Sequence, residues 1–474
     1  MRLVITEEMF RCLHKHLFRN DRAEHGASVL AGISRSESDT RLLVREVCLA
    51  KDGSDYLYKE NNTWSLQAEF ITKQLVKCRQ DRLVHLAVHN HGGVDSVQFS
   101  EVDLRSHERG YPSQLDVTDG MPVGALVLAQ DAVAGDIWMP NGDRQPLEET
   151  FILGKSIRRL YPNPHGSNTS CDQRYDRQTR IFGSTGQAVL NKTKVGIIGL
   201  GGAGSQLADF LSKLGVGKFV LADPDRIELS NLPRVVGATG FHARTWFLGE
   251  RWPDCIQKLA KKLSTHKVGL AKHVILKNNP RAKVEAIPDD FAKTQVARKF
   301  KDCDYLFLAA DTALARLVFN AIVNQYLIPG VQVGAKVLPD KATGSIMDAY
   351  AVVRPVTPGK GCLWCNGLIN GGRLAEECKT EQEIINQRYV DDEDVVAPSV
   401  NTLNALATSQ AANDFLFYIT GMTKPSASLD FMRIQPACRK VTMDEPTRDA
   451  ACSECGEKGR RYAHGDQVEL PTSM

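Results

Sequence analysis

The chain has no apolar run approaching the roughly 20 residues needed to span a bilayer, and no internal repeat, heptad run or low-complexity tract. Those absences exclude a spanning helix, a solenoid and a coiled coil. An excess of charge of one sign is also missing. Fifty-nine Lys and Arg against 56 Asp and Glu leave a formal +3, too mild a balance to point to nucleic acid. The basic patch of Lys258, Lys261 and Lys262 reads as a solvated helix face. Nothing resembles a secretory leader: Met1-Arg2-Leu3-Val4-Ile5-Thr6 reads as a strand entering a folded domain, and the twelve cysteines are dispersed. A reducing cytoplasmic setting is therefore expected, with no nucleic-acid and no membrane partner.

At 474 residues the chain exceeds what one hydrophobic core ordinarily serves, so two or three domains are expected. An α/β domain is placed at 1–150. A linker at 151–171 contains Pro162, Asn163, Pro164, His165, Gly166, Ser167 and Asn168, which break the periodic pattern. A second α/β domain, with helices on both faces of a mostly parallel sheet, is placed at 172–456, and a polar tail at 457–474 is expected to fray.

The densest information lies in residues 194–234. K-V-G-I-I-G-L-G-G-A-G-S reads as an apolar strand, a glycine loop and a helix start. Gly199, Gly201, Gly202 and Gly204 supply the tight turn and let backbone N–H groups approach a phosphate. The next apolar strand, 219–222, ends in Asp223, where a Rossmann-type fold places an acid on the ribose hydroxyls. The continuation S-N-L-P-R adds Asn231 and Arg234, donors that suit a triphosphate better than a hydride-transfer cofactor.

On these residues the chain resembles the ThiF/MoeB/ubiquitin-activating superfamily, which adenylates the C-terminal glycine of ubiquitin-like proteins. Arg174-Tyr175-Asp176-Arg177-Gln178 is similar to that family's R-Y-x-R-Q arm, followed by Gly186-Gln187 and Leu190. Val268-Gly269-Leu270-Ala271-Lys272 resembles its G-x-x-K, and Asn279-Pro280 its N-P. Asp311 with Arg316 and Asn320 resembles its D-x-x-x-x-R-x-x-x-N, and the likeness covers roughly 172–456. It implies that Asp223 binds ribose and that Asn231, Arg234 and Lys272 hold the phosphates of ATP. It implies that Asp311 supports Mg²⁺ and the reacting carboxylate, and that Arg177 reaches the ATP site of a partner in a homodimer. Arg316 and Asn320 could equally be structural members of a helical face. The stretch from Arg234 to Lys272 is longer than is usual in the family and carries Phe241, Trp246, Phe247 and Trp252. A surface excursion is its default reading; a flap or a docking surface are the alternatives.

Two C-x-x-C pairs, Cys362/Cys365 and Cys452/Cys455, can together hold one tetrahedral Zn²⁺, structural because no coordination position stays open. Between them Cys378, in A-E-E-C-K-T-E, falls where some members of the resembled family carry a thioester cysteine. Glu376 and Glu377 work against a reactive thiolate there, whereas Lys379 favours one.

The first domain carries different chemistry. His89-Asn90-His91 follows an apolar strand at 83–88, Ser100 and Asp103 follow a loop, and Glu24 precedes another strand. Histidines at i and i+2 project from one face and can share a zinc, with Asp103 as third ligand and water as fourth. Glu24 would take the proton from that water and Ser100 would steady the oxyanion. The set resembles the JAMM (JAB/MPN) metalloprotease motif E…H-x-H…S-x-x-D, whose members cut after ubiquitin-like C-termini. Its spacer from His91 to Ser100 is one residue longer than usual, and Gly92 stands where proline is common.

Together the two resemblances imply a bifunctional enzyme of a ubiquitin-like conjugation system, similar to fusions found in bacterial operons. One half would trim or release the modifier and the other would activate it, with a conjugating-enzyme homologue as a further partner. The alternative is sulfur-carrier activation in thiamine-, molybdopterin- or cysteine-type biosynthesis, the first domain being a non-catalytic binding module.

Overall fold

Short, largely apolar runs separated by turn residues give the first part of the chain, among the described residues, eleven strands: β1 (Arg2–Thr6), β2 (Gly26–Arg35), β3 (Thr40–Leu49), β4 (Tyr56–Glu60), β5 (Thr63–Leu66), β6 (Val84–Asn90), β7 (Val123–Leu128), β8 (Val133–Trp138), β9 (Arg144–Pro146), β10 (Glu149–Leu153) and β11 (Ile157–Leu160). The computed structural model describes residues 1–473 except 22, 38, 61–62, 165–171, 250, 340–345 and 378–398. Its contacts divide the chain into two units, the first comprising Met1–Asn168 with Asn324–Leu327 and Ala450–Glu469.

In this first unit nine strands form one sheet, in the order β11-β10-β1-β3-β2-β6-β7-β8-β9, and β4 and β5 form a separate hairpin. Three helices accompany the strands: α1 (Glu7–Leu17), α2 (Ala68–Asp81) and α3 (Glu101–Val117). In α1 the i, i+3, i+7 spacing buries Phe10, Leu13 and Leu17, which join Val84, Leu86 and Val88 of β6 in the main core. Because alternate residues of a strand face opposite sides, filling that core from one side of β6 sends His85, Ala87 and His89 to the other. The expected linker begins too early: residues 149–153 and 157–160 are strands, and β10 pairs in parallel with β1 from Arg2↔Glu149 to Thr6↔Leu153. The expected fraying tail is also corrected. Tyr462 and Ala463 are buried and the Asp466 N–H donates to the Ile33 carbonyl at 2.9 Å, so this stretch buries apolar surface and satisfies backbone groups. The segment from 450 accordingly belongs with the first unit rather than with the second domain.

The second unit comprises Thr169–Val323, Ile328–Asp449 and Leu470–Met474. Its strands are β12 (Lys194–Ile198), β13 (Lys218–Ala222), β14 (Lys283–Ile287), β15 (Tyr305–Leu308), β16 (Gly330–Pro339), β17 (Ile346–Val356), β18 (Phe431–Gln435) and β19 (Lys440–Asp444). They form one sheet in the order β14-β13-β12-β15-β16-β17-β18-β19; the first five are mutually parallel and the last three join antiparallel. Strand β12 lies between β13 and β15, so successive crossovers leave it in opposite directions and open a crevice at its C-terminal end. The helices are α4 (Asp176–Lys192), α5 (Gly202–Leu214), α6 (Gly240–Ala243), α7 (Asp254–Lys262), α8 (Lys267–Asn278), α9 (Thr294–Ala297), α10 (Ala313–Gln325), α11 (Gly371–Glu377) and α12 (Asn401–Thr420). Helix α12 packs on α5 through a polar seam, in which the Thr408 hydroxyl donates to Gln206 Oε1 at 2.9 Å. Its Phe415 ring sits 5.1 and 5.5 Å from those of Tyr305 and Phe307 on β15. Among the described residues no helix is long and apolar enough to cross a membrane.

Candidate functional site

The glycine loop occupies the crevice at the end of β12. Gly199 has φ +84°, and a Cβ there would lie 2.9 Å from the Ala310 nitrogen, so only glycine fits without strain. Helix α5 has Gly201 at its N-cap position and no side-chain cap, leaving its first N–H groups and the positive end of its dipole available to an anion. Arg234 lies beside this start, its Cβ 3.5 Å from where a Gly202 Cβ would be, and Asn404 of α12 stands there too. Asn404 is buried and was not singled out by the sequence. A second buried polar residue beside Thr408 on this helix face was its available signal, but its proximity to Gly202 spans about two hundred residues of chain.

At the tip of β13 the buried Asp223 carboxylate ties the loops together. Its Oδ2 accepts from the Leu200 N–H at 2.6 Å and its Oδ1 from the Asp225 N–H at 2.8 Å. Burial pushes the Asp223 carboxyl up, against the opposing pull of Lys267. Lys267, the first residue of α8, has Nζ 3.9 Å from Asp223 Oδ1 and 2.6 Å from Asp225 Oδ2. It is largely covered, whereas Lys272 on the same helix is exposed. The lysine at this strand tip is therefore one the sequence reading passed over, and its signal was a cation at the very start of a helix. Asn231 is buried, and its Oδ1 accepts from the Glu228 N–H at 3.2 Å.

Asp311 is exposed beyond the end of β15. Close by, Glu377 closes the start of α10: its carboxylate accepts from the Ala313 and Leu314 N–H groups at 2.8 and 2.9 Å. Burial lowers the Arg316 guanidinium, and Asp311 opposes that shift. Asn320 resolves to a structural role, its Oδ1 accepting from the Leu363 N–H at 2.9 Å inside the first C-x-x-C turn. Arg177 is exposed on α4. Cys378 lies outside the described residues. The long stretch after Arg234 folds into α6, a 3₁₀ turn and α7. Its rings run Phe241–Trp246–Phe247–Trp252 at centroid spacings of 5.7, 6.0 and 5.5 Å.

Two side-chain groups have the composition of metal sites. Cys452 and Cys455 fall in the first unit, and the sulfurs of Cys362 and Cys365 in the second are 3.7 Å apart. A tetrahedron with Zn–S bonds near 2.3 Å has edges of about 3.8 Å, so this pair fits.

The second group is His89, His91 and Asp103. Their facing atoms are 3.1 Å (His89 Nε2 to His91 Nε2), 3.6 Å (His89 Nε2 to Asp103 Oδ1) and 3.4 Å (His91 Nε2 to Asp103 Oδ2) apart. A tetrahedral ion bonded at about 2.0–2.1 Å has edges of about 3.3 Å, and these three distances bracket that value. His91 Nδ1 is 3.1 Å from the Gln98 carbonyl; donating there leaves Nε2 as a lone pair aimed at the centre. Burial would raise the Asp103 carboxyl, but the neighbouring His89, His91 and Ser100 outweigh it and bring it below the usual carboxylate range. Glu24 Oε1 stands 3.9 Å from His91 Nε2. Within the longer spacer Gly93 turns the chain at φ +119°, and the Val94 carbonyl accepts from the Asp131 N–H at 2.7 Å. Ser100 does something the sequence did not foresee. Its hydroxyl donates to Asp103 Oδ2 at 2.7 Å while its Oγ accepts from the Asp103 N–H at 3.2 Å, a capping box that begins α3 and aims the third ligand.

The sequence profile of the ThiF family matches residues 175–454. Over 156 residues the chain is 31% identical to the adenylyltransferase and sulfurtransferase UBA4 of Kluyveromyces lactis, a match covering 32% of this chain and 31% of that protein. With the molybdopterin-synthase adenylyltransferase of Escherichia coli it is 23% identical over 286 residues, which are 60% of this chain and 96% of that protein. The chain thus spans less than a third of the length of the UBA4 relative. Among solved structures, E. coli MccB with ATP is 18% identical with a TM-score of 0.43, covering 91% of this chain and 100% of that one.

Proposed function

This chain belongs to the ThiF family, and from that premise we propose that it uses ATP to adenylate the C-terminal carboxylate of a ubiquitin-like or sulfur-carrier protein. The observation that carries the reading is the uncapped start of α5 flanked by Arg234, with Asp223 and Lys267 at the tip of the adjacent strand. In the proposed reaction a carboxylate oxygen of the carrier attacks the α-phosphorus. The bond from that phosphorus to the bridging oxygen breaks, and pyrophosphate leaves with the electron pair. Charge accumulates on phosphate oxygens, so the α5 amides, Asn231, Arg234 and a lysine of α8, Lys272 by the family resemblance or Lys267 by its place at the Asp223 tip, lower the barrier by standing in place beforehand. Asp223 takes the ribose hydroxyls, and Asp311 steadies Mg²⁺ brought in with ATP and the incoming carboxylate. Arg177, exposed on its arm, serves the site of a second copy in a homodimer. ATP–pyrophosphate exchange dependent on a carrier ending in glycine, and lost in Asp311→Ala, is the expected result. No exchange from a folded, ATP-binding chain with any mature carrier would overturn the reading.

For the first unit the spacing of His89, His91 and Asp103 supports a zinc protease that trims or releases the same carrier. Bound zinc would supply a Lewis acid and an acidified water. Here His89 and His91 hold the ion through Nε2 and Asp103 through a carboxylate oxygen, Ser100 aims Asp103, and Glu24 receives the proton on Oε1. Zinc at the four cysteines would be structural. A conjugating-enzyme homologue would be the next partner after activation. Loss of zinc in His91→Ala tests the site, and an equal zinc content in wild type and variant would leave this unit a binding module.

A further inference from the structure

Glu24 lies in residues 23–25, an irregular stretch before β2, where a carboxylate on a flexible side chain has no reason to hold one rotamer. Its main chain is pinned, because the His25 N–H donates to Asn90 Oδ1 at 2.7 Å. Its side chain is held by another element: Trp64 Nε1 donates to Glu24 Oε2 at 2.9 Å. That bond occupies one carboxylate oxygen and leaves Oε1 on the side of His91 Nε2, 3.9 Å away.

The indole is itself fixed. It sits on β5 of the separate hairpin, 5.9 Å from the His89 ring and 6.1 Å from the Tyr56 ring. Gly26 makes room for it, since a Cβ there would lie 2.9 Å from Trp64 Cζ3 and 3.3 Å from Cη2. The Gly26 N–H donates to the Tyr56 hydroxyl at 2.8 Å, so the hairpin is tied to the start of β2. A rigid donor on a packed ring orients a carboxylate at little entropic cost, as second-shell donors do around metal sites.

We propose that Trp64 is the positioning residue of the base in the first unit: its indole N–H selects the rotamer of Glu24 that turns Oε1 toward His89, His91 and Asp103. This rests on the zinc-protease reading of that cluster. The chain has five tryptophans, so ¹⁵N-tryptophan labelling of the zinc-loaded full chain gives a short set of indole correlations, and Trp64→Phe identifies the relevant one by deleting it. Glu24→Gln replaces a charged acceptor with a neutral one and is expected to move that indole proton upfield while the other four stay in place. Gly26→Ala, which crowds the ring, is expected to move the same correlation. A Trp64 correlation unmoved by Glu24→Gln would overturn the inference even with zinc bound. Equal zinc content in wild type and His91→Ala would instead sink the zinc reading, and the proposed role with it, whatever the indole reports.

Discussion

The Nε2 atoms of His89 and His91 face each other at 3.1 Å. If His91 Nδ1 donates to the Gln98 carbonyl, its Nε2 is a lone pair that can accept from His89 or share with it the cation of the proposed zinc site. Purified wild type is therefore expected to hold about two zinc ions per chain, and His91→Ala about one, by elemental analysis.

Lys267 and Lys272 share α8, yet only Lys267 reaches the Asp223–Asp225 tip. Lys267→Ala is expected to lower ATP–pyrophosphate exchange by about a hundredfold, the scale of losing one fixed charge at a reacting phosphate. Lys272→Ala should cost far less. The reverse ranking would favour Lys272 as the phosphate lysine.

The buried Asp136 carboxylate meets His107 at 2.9 Å and Arg144 at 2.7 Å. Burial alone would raise its carboxyl, but hydrogen bonds from His107 and Arg144 bring it down to about 2. A carboxyl depressed by folding contributes stability above its unfolded value near 3.8 and loses it as pH falls through the folded value. About 2 kcal/mol should therefore disappear between about pH 4 and pH 2. Denaturant titrations of Asp136→Asn should show a flatter acid limb; an identical pH profile would remove this pair from the account.

Arg177 is exposed and Asp311 is exposed on another element. If Arg177 serves a second copy, Arg177→Ala and Asp311→Ala chains should each lack exchange alone and recover it when co-expressed, because a mixed dimer keeps one complete site. Absence of recovery in a verified mixed dimer would place Arg177 outside the site.

Glu377 accepts two N–H bonds at the start of α10. Glu377→Ala should destabilise the second unit by about 1 kcal/mol in denaturant unfolding, the usual scale of a lost helix cap. An unchanged midpoint would show that water replaces the carboxylate without loss.

Much of this was legible locally. The glycine loop, the strand ending in Asp223, the histidines two apart and the C-x-x-C pairs carry their geometry within a few bonds, because strand alternation and glycine sterics fix where neighbouring atoms point. Other features were hidden by chain separation. The Asn320 side chain closes a turn at Leu363, Asn404 reaches Gly202, and the stretch around Asp466 joins β2 at Ile33. A run rich in charge and glycine, such as 456–466, looks frayed until its partner strand is known.

By itself the sequence determined the family of the second unit and the donor sets of both candidate metal sites, since those depend on residue type at short spacing. Tertiary structure decided that Lys267 meets the Asp223–Asp225 tip, that Ser100 bonds Asp103, and that Trp64 bonds Glu24. Each of those depends on which rotamer and which distant element share a few ångströms, and that is set by packing rather than by spacing along the chain.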